Sequence, residues 1–244
     1  MKNEKMKKIF VILFVLFVNL VFSQEDYNDL YKSSIQNSIY PAGAVIDTSL
    51  VKINKENKDL IRKNINGEEY ILVVSSKQSI SYYTDSSGNP LKTYNTGNYP
   101  IWITTAPELK QWFYKKTFKD RNLRLVQLLG LPPNSKCNYF IEFWVRPQDL
   151  FRPCPDKEIT DGKCDLCFPN DITEEHLKWI NENRISRYYQ CDLSNQYPWT
   201  QLGYTYDWEP SNKTHIGLSE FIINSNSTIY INSIYTTDEY LDEK

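Results

Sequence analysis

Apolar and polar positions along this chain alternate with two different periods, and the changes of period mark out an α+β order of elements. Residues 9–22 are almost wholly apolar, broken only by Asn19. Residues 24–40 are polar and tyrosine-rich with little periodicity, which fits a loose lead-in or a short helix. From 47 to 66, charges mix with Leu50, Val51, Ile53, Leu60, Ile61 and Ile65, a spacing that admits a helix. Tyr70 to Val74 is a dense β-branched and apolar run and is predicted to be a central strand. The runs 79–84 and 91–94 flank Asp85-Ser-Ser-Gly-Asn-Pro90, where Gly88 and Asn89 tolerate positive φ, so a hairpin is expected.

A further strand is predicted over 99–104. Thr105 then caps a helix bearing Leu109, Trp112 and Phe113, with Pro107 in its first turn and Glu108 completing a capping box. A second helix is expected over 122–129, ended by Gly130 and blocked by Pro132-Pro133. In the strand 139–146, Tyr139, Ile141, Phe143 and Val145 share one face and Phe140, Glu142 and Trp144 the other. Both faces are largely apolar, which predicts a central strand with helices over one side. Residues 147–169 read as loop. Asp171 with Glu174 opens a third helix to about 183. The aromatic stretch 197–208 contains a strand, and 216–223 and 228–235 close as a hairpin across 224–227. No repeat or linker interrupts the pattern. The expected fold is α+β, a mostly antiparallel sheet with three or so helices in a single domain. A leader (1–23) and a partly helical lead-in (24–69) precede the domain at 70–244.

Composition narrows the class. The 244 residues are 24% charged and 14% aromatic, with mean hydropathy −0.54, which excludes a polytopic membrane protein, an acidic disordered tail and a coiled coil. Lys2, Lys5, Lys7 and Lys8 precede the apolar run, and Val21-Phe22-Ser23 suits cleavage before Gln24, so the leader reads as a secretory signal peptide. Its run of 14 residues, Asn19 included, falls short of the roughly 20 that a spanning helix needs. The expectation is therefore an exported protein, periplasmic or extracellular, not embedded in a membrane once the leader is removed. The formal charge of −2 becomes more negative without those four lysines, which argues against nucleic acid as a partner.

Export makes pairing the default for cysteines. There are five, Cys137, Cys154, Cys164, Cys167 and Cys191. The expected bridge is Cys154–Cys164, because the polar loop between them needs a crosslink and Pro155 with Gly162 helps it reverse. Cys154–Cys167 closes a slightly longer loop and stays open as an alternative. Cys164-Asp-Leu-Cys167 has zinc spacing, but no second close pair accompanies it, so no metal and no cofactor is expected. The acidic loop from Asp156 fails the calcium-loop pattern, having Asp161 where glycine is required.

Several segments together resemble an uncharacterised family of bacterial exported proteins. They are 101–109 (IWITTAPEL), 124–133 (RLVQLLGLPP), 142–145 (EFWV), 149–156 (DLFRPCPD), 197–200 (YPWT), 202–208 (LGYTYDW) and 217–221 (GLSEF). The resemblance covers about 70–235. It implies cysteines shared at Cys154 and Cys164, and it carries no activity, cofactor or catalytic residue.

Candidate chemistry is sparse. Histidine occurs twice. His176, four residues from both Ile172 and Ile180, reads as a buried structural histidine, and His215 as a solvated one. No nucleophile elbow, zinc-binding helix or phosphate loop occurs. Arg146 and Arg152 with Asp149, Asp156 and Glu158 read as a salt-bridge network. The sharper alternative is acid–base chemistry, with Glu142 raised in pKa between Phe140 and Trp144. Tyr204, Tyr206 and Trp208 alternate onto one side of a strand, as a core stripe or as a platform for a carbohydrate or peptide, and Asp207, pointing the other way, needs a partner. The candidate ligand-binding residues are Glu142, Arg152, Asp156, Tyr204, Tyr206 and Trp208. The leading expectation is a non-catalytic interaction or ligand-binding protein. The alternative is a secreted hydrolase using carboxylates near Glu142 and Asp156.

Overall fold

The computed structural model describes residues 27–41, 45–114, 116–188 and 196–242. The leader, its cleavage site and Cys191 lie outside them. Helix α1 (27–38) opens the described chain. Its polar sequence hides a helical beat that places Tyr31, Ser34, Ile35 and Ser38 on one buried face. The elements that follow are β1 (Arg62–Ile65), β2 (Glu68–Lys77), β3 (Thr93–Asn95), β4 (Ile101–Thr105), α2 (Ala106–Phe113), α3 (Arg121–Leu128), β5 (Tyr139–Val145), β6 (Leu150–Phe151), α4 (Glu174–Tyr188), β7 (Tyr204–Tyr206), β8 (Ile216–Ser219), β9 (Phe221–Ile223), β10 (Thr228–Thr236) and α5 (Thr237–Asp242). The fold is α+β and its sheet pairings are antiparallel, but the described residues hold five helices where three or so were expected.

One eight-stranded sheet runs β3-β10-β5-β2-β4-β9-β6, with β1 added beside β2, and β7 pairs β8 in a small second sheet. The central strands β2 and β5 are buried on both faces, as their composition predicts. Ile71, Val73, Ile141, Phe143, Val145, Ile101, Ile103, Phe221 and Ile223 form one face. Tyr70, Leu72, Val74, Phe140 and Trp144 form the other, beneath Leu109 and Phe113 of α2, Leu125 and Leu128 of α3, and Tyr240 and Leu241 of α5. Each fully buried aliphatic or aromatic side chain in these layers contributes about 1.5–3 kcal/mol.

Coil covers the first face, which corrects the expected helix at 47–66. Asn54 and Asn57 accept hydrogen bonds from the backbone of Asn57 and Asp59, both at 3.0 Å, and so favour turns over helix. The extended segment instead pairs with the loop after β6, Leu50 N donating to Gly162 O (3.0 Å) and Ile53 N to Ile159 O (2.7 Å). Cys154 and Cys164 are bridged, as expected, and fasten that loop. Gly203, at φ +76°, packs against the bridge where a Cβ would stand 2.7 Å from Cys164 Sγ.

Four further local expectations are corrected. Residues 79–84 form a turn (Tyr83 N to Ile80 O, 2.8 Å) that plugs Tyr83 into the first face, so the hairpin shrinks to one bridge, Thr84–Pro90, and β3 pairs β10 instead. Thr105 stands before α2 but its side chain makes no cap bond, because it still belongs to β4 opposite Val73. Glu108 turns instead to Thr104 Oγ1 (2.8 Å) and Ser219 N (2.9 Å). Helix α4 starts at Glu174, after a turn closed by Ile172 N to Pro169 O (3.2 Å), and its first turn leans on Thr173 rather than Asp171. The closing hairpin does not form. Glu220 N donates to Gly203 O and interrupts the run 216–223, so β8 joins β7 while β9 joins β4 and β6, and β10 pairs β5 and β3.

Helix α3 ends as its sequence predicts. Gly130, at φ +63°, donates to Gln127 O (3.1 Å) and Leu131 N donates to Val126 O (2.8 Å), the paired bonds of a left-handed C-terminal cap. Its start is set by Asp120, which accepts from Leu123 N at 2.9 Å. Among the described residues no helix is long and apolar enough to cross a membrane.

Candidate functional site

The site candidates read from sequence do not assemble into one place. Glu142 is buried on the helix-covered face of β5, where it accepts from Asn232 Nδ2 (2.8 Å) and meets Lys110 Nζ (3.3 Å). Arg152 is fully buried on the opposite side, its guanidinium 4.8 Å from the Phe221 ring centre. Among the described residues it forms no ion pair, which corrects its place in the expected network. Nη2 donates to Val51 O (2.7 Å) and Asp161 O (2.6 Å), while Nε and Nη1 have no hydrogen-bond partner among the described residues. Burial pushes its pKa down to about 10 against the opposing pull of Asp161, Glu158, Glu108 and Asp156. Arg146 does pair, with Asp149 at 2.8 Å and Glu68 at 3.4 Å. Asp156 lies in the disulfide loop, its carboxyl held above the usual range by burial and by the acids around it.

The aromatic stripe is interior. Tyr204, Tyr206 and Trp208 are all buried. A register irregularity between Tyr204 and Tyr206 also separates them. Tyr204 packs with Leu50 and Leu202, whereas Tyr206 and Trp208 pack with Tyr31, Ile35 and Val126. Asp207 has the partner it needs in Arg124, at 2.9 and 2.5 Å. His176 is buried, its Nε2–H donating to Cys154 O at 2.8 Å, and burial lowers its pKa. His215 is half-buried rather than solvated, its ring stacked 4.7 Å from that of Tyr206. Of the free cysteines among the described residues, Cys137 is half-buried and Cys167 exposed. Among the described residues no group of His, Cys, Asp and Glu is placed to hold a metal ion.

The structure opens a cleft elsewhere, and of the six candidates Tyr206 alone lines it. β2 and β4 pair only at Val73–Thr105 and Val74–Thr104 and then diverge, because β4 continues along β9 while β2 continues along β5. Between them lies a cleft of about 380 Å³. Ser75, Ser76, Lys77 and Trp102 form its floor, and the α3 cap (Gly130, Leu131), Arg187, Tyr197, Trp199 and Glu220 form its walls. A neighbouring hollow of about 300 Å³ continues past Lys77 to Lys136 and Cys137. Strand alternation sets Ile101 and Ile103 inward on the coil-covered face and turns Trp102 to the other. There it meets Trp179 of α4 (6.3 Å) and Trp199 (6.5 Å, edge to face), with the Arg187 guanidinium 5.0 Å from its ring centre.

Two ionisable groups of the cleft are displaced from their ordinary ranges. Desolvation pushes Glu220 up to about 8, opposed by Arg187, although its surface is partly open to the cleft. Desolvation pulls Lys77 down to about 8. Sequence reading missed Lys77, Arg187 and Glu220. The usable signal was Glu220 itself, a carboxylate inside the apolar run Leu218 to Ile223.

Glu220 gives a signed pH prediction. Its folded pKa lies above the unfolded one, so the native state holds the extra proton between about 4.5 and 8, and stability falls as pH rises through that window. Glu220→Gln is expected to match the wild type at pH 5 and exceed it by about 1–3 kcal/mol at pH 9, water in the cleft reducing the full effect. Urea midpoints at both pH values check this. Equal midpoint differences at the two would show that Glu220 is not held protonated.

No protein-family model, curated protein or solved structure matches the chain.

Proposed function

We propose that this is an exported ligand-binding protein that acts without catalysis, and that its ligand occupies the cleft between β2 and β4. One observation carries the reading. The sheet splits at Val74–Thr104 and leaves an aromatic-walled hollow with Lys77, Arg187 and Glu220 at its surface. Concave, largely apolar sites with a few placed polar groups are where proteins hold ligands. The segments that resemble the exported family supply much of the lining, namely Trp102, Leu129 to Leu131 and Tyr197 to Trp199. The Cys154–Cys164 bridge is consistent with an oxidising compartment.

The hydrolase alternative has less support. Glu142 and Asp156 have separate settings, and Glu220 is the one carboxylate among the described lining residues, whereas two-carboxylate hydrolysis needs a facing pair. The test is ligand-observed NMR on the exported protein with panels of oligosaccharides and short peptides. At least one class is expected to bind, and Ser76→Trp, which fills the cleft from its floor, is expected to abolish binding with the thermal transition retained. Binding that survives Ser76→Trp would move the site elsewhere.

A further inference from the structure

The diverging strands leave peptide groups facing the cleft. Leu72 N donates to Ile61 O, on the side of β2 away from β5. Backbone N–H and C=O groups reverse direction at each residue of a strand. Val74 and Ser76 therefore face the same side as Leu72. Val74 finds Thr104 there, but the ladder has ended before Ser76, which faces the cleft. By the same alternation Trp102 turns its peptide groups towards β2, and Ser75 Oγ donates to Trp102 O at 2.8 Å in place of the missing ladder.

The side chains are poorly set for a sugar. Ser75, Thr104 and Thr205 hydroxyls are already committed, to Trp102 O, Glu108 and Leu128 O. Trp199 is buried with its Nε1 on Pro153 O, and Arg187 lies over Trp102, so the one exposed ring of the wall is Tyr197, itself 5.9 Å from the Arg187 guanidinium. What remains is the backbone edge of Ser75–Lys77, about 10 Å long, which runs on into the second hollow. Along it the Ser76 N–H and C=O face the cleft, between Ser75 and Lys77, whose peptide groups turn to β5. Among the described lining residues the cations Lys77, Arg187 and Lys136 stand with one carboxylate, Glu220.

Resting on the cleft as the ligand site, we infer that its occupant is an extended acidic peptide that adds a strand to β2 at Ser75–Lys77 and sets a carboxylate against Lys77. Main-chain bonds would supply the affinity and the charge contact the selectivity. The desolvated Lys77 ammonium would regain its charge beside such a carboxylate.

The experiment uses a pool of N-acetylated hexapeptides alternating apolar with acidic residues. Its controls are the same pool N-methylated at alternate amides, a pool with lysine in place of the acids, and the oligosaccharide panel. Calorimetry is expected to show binding of the acidic pool, weakened at least tenfold by N-methylation, by the lysine exchange and by Lys77→Gln, with slowed amide exchange at Ser76. Equal binding of the N-methylated pool would overturn strand addition. Oligosaccharide binding without peptide binding would overturn the peptide and leave the cleft as the ligand site. No binding by any pool or panel would overturn both.

Discussion

Arg152→Ala is expected to lower the stability of this protein by about 3–5 kcal/mol, and Arg152→Met by less than half of that. Arg152 is among the largest fully buried side chains and the only described one that ties both covering segments to the sheet, through Val51 O and Asp161 O. Truncation to alanine removes both bonds and opens a cavity above Phe221, beside the disulfide that fastens the same loop. Methionine refills the space and removes a charge that satisfies only part of its hydrogen-bonding capacity, while still orphaning two carbonyls. Urea unfolding measures both variants, a shifted midpoint at constant slope reading stability directly. An alanine variant within about 1 kcal/mol of wild type would show that the coil cover is held by apolar packing and the disulfide alone.

That arginine also shows where sequence reading ends. Strand periodicity made β2, β4 and β5 legible, because residues buried on both faces of a sheet leave runs such as Tyr70 to Val74 that few other structures explain. The end of α3 was legible because Gly130 must adopt positive φ. The Cys154–Cys164 bridge was legible from its loop. Partner choice was not. Residues 216–223 look like one strand and serve two sheets, since the break at Glu220 depends on Gly203 O, 17 positions away. Arg152 lies beside acids in sequence and bonds carbonyls in space. The cleft is a gap in a ladder, and a gap arises from where two strands find their other neighbours, which no local pattern records.

Asp207→Ala is expected to cost about 3–5 kcal/mol, and Arg124→Ala nearly as much, with the double variant far less damaging than the sum. Asp207 is 1% exposed and accepts four hydrogen bonds, from Arg124 Nη1 (2.9 Å) and Nη2 (2.5 Å), Glu209 N (3.1 Å) and Asn212 Nδ2 (2.9 Å). Removing either partner leaves the other ion largely buried without its counter-charge, which is why the single losses are large and the pair is coupled. The bridge joins α3 to β7, and the same junction carries Thr205 Oγ1 to Leu128 O and Trp208 Nε1 to Leu131 O, the bonds that seat Gly130 and Leu131 on the cleft wall. Loss of Asp207 should therefore also weaken any ligand held in the cleft, even where the variant remains folded. A double-mutant cycle in urea, read beside ligand titrations on the single variants, measures both effects. A coupling energy below about 0.5 kcal/mol would mean that the two ions act independently and that α3 is seated by its apolar face.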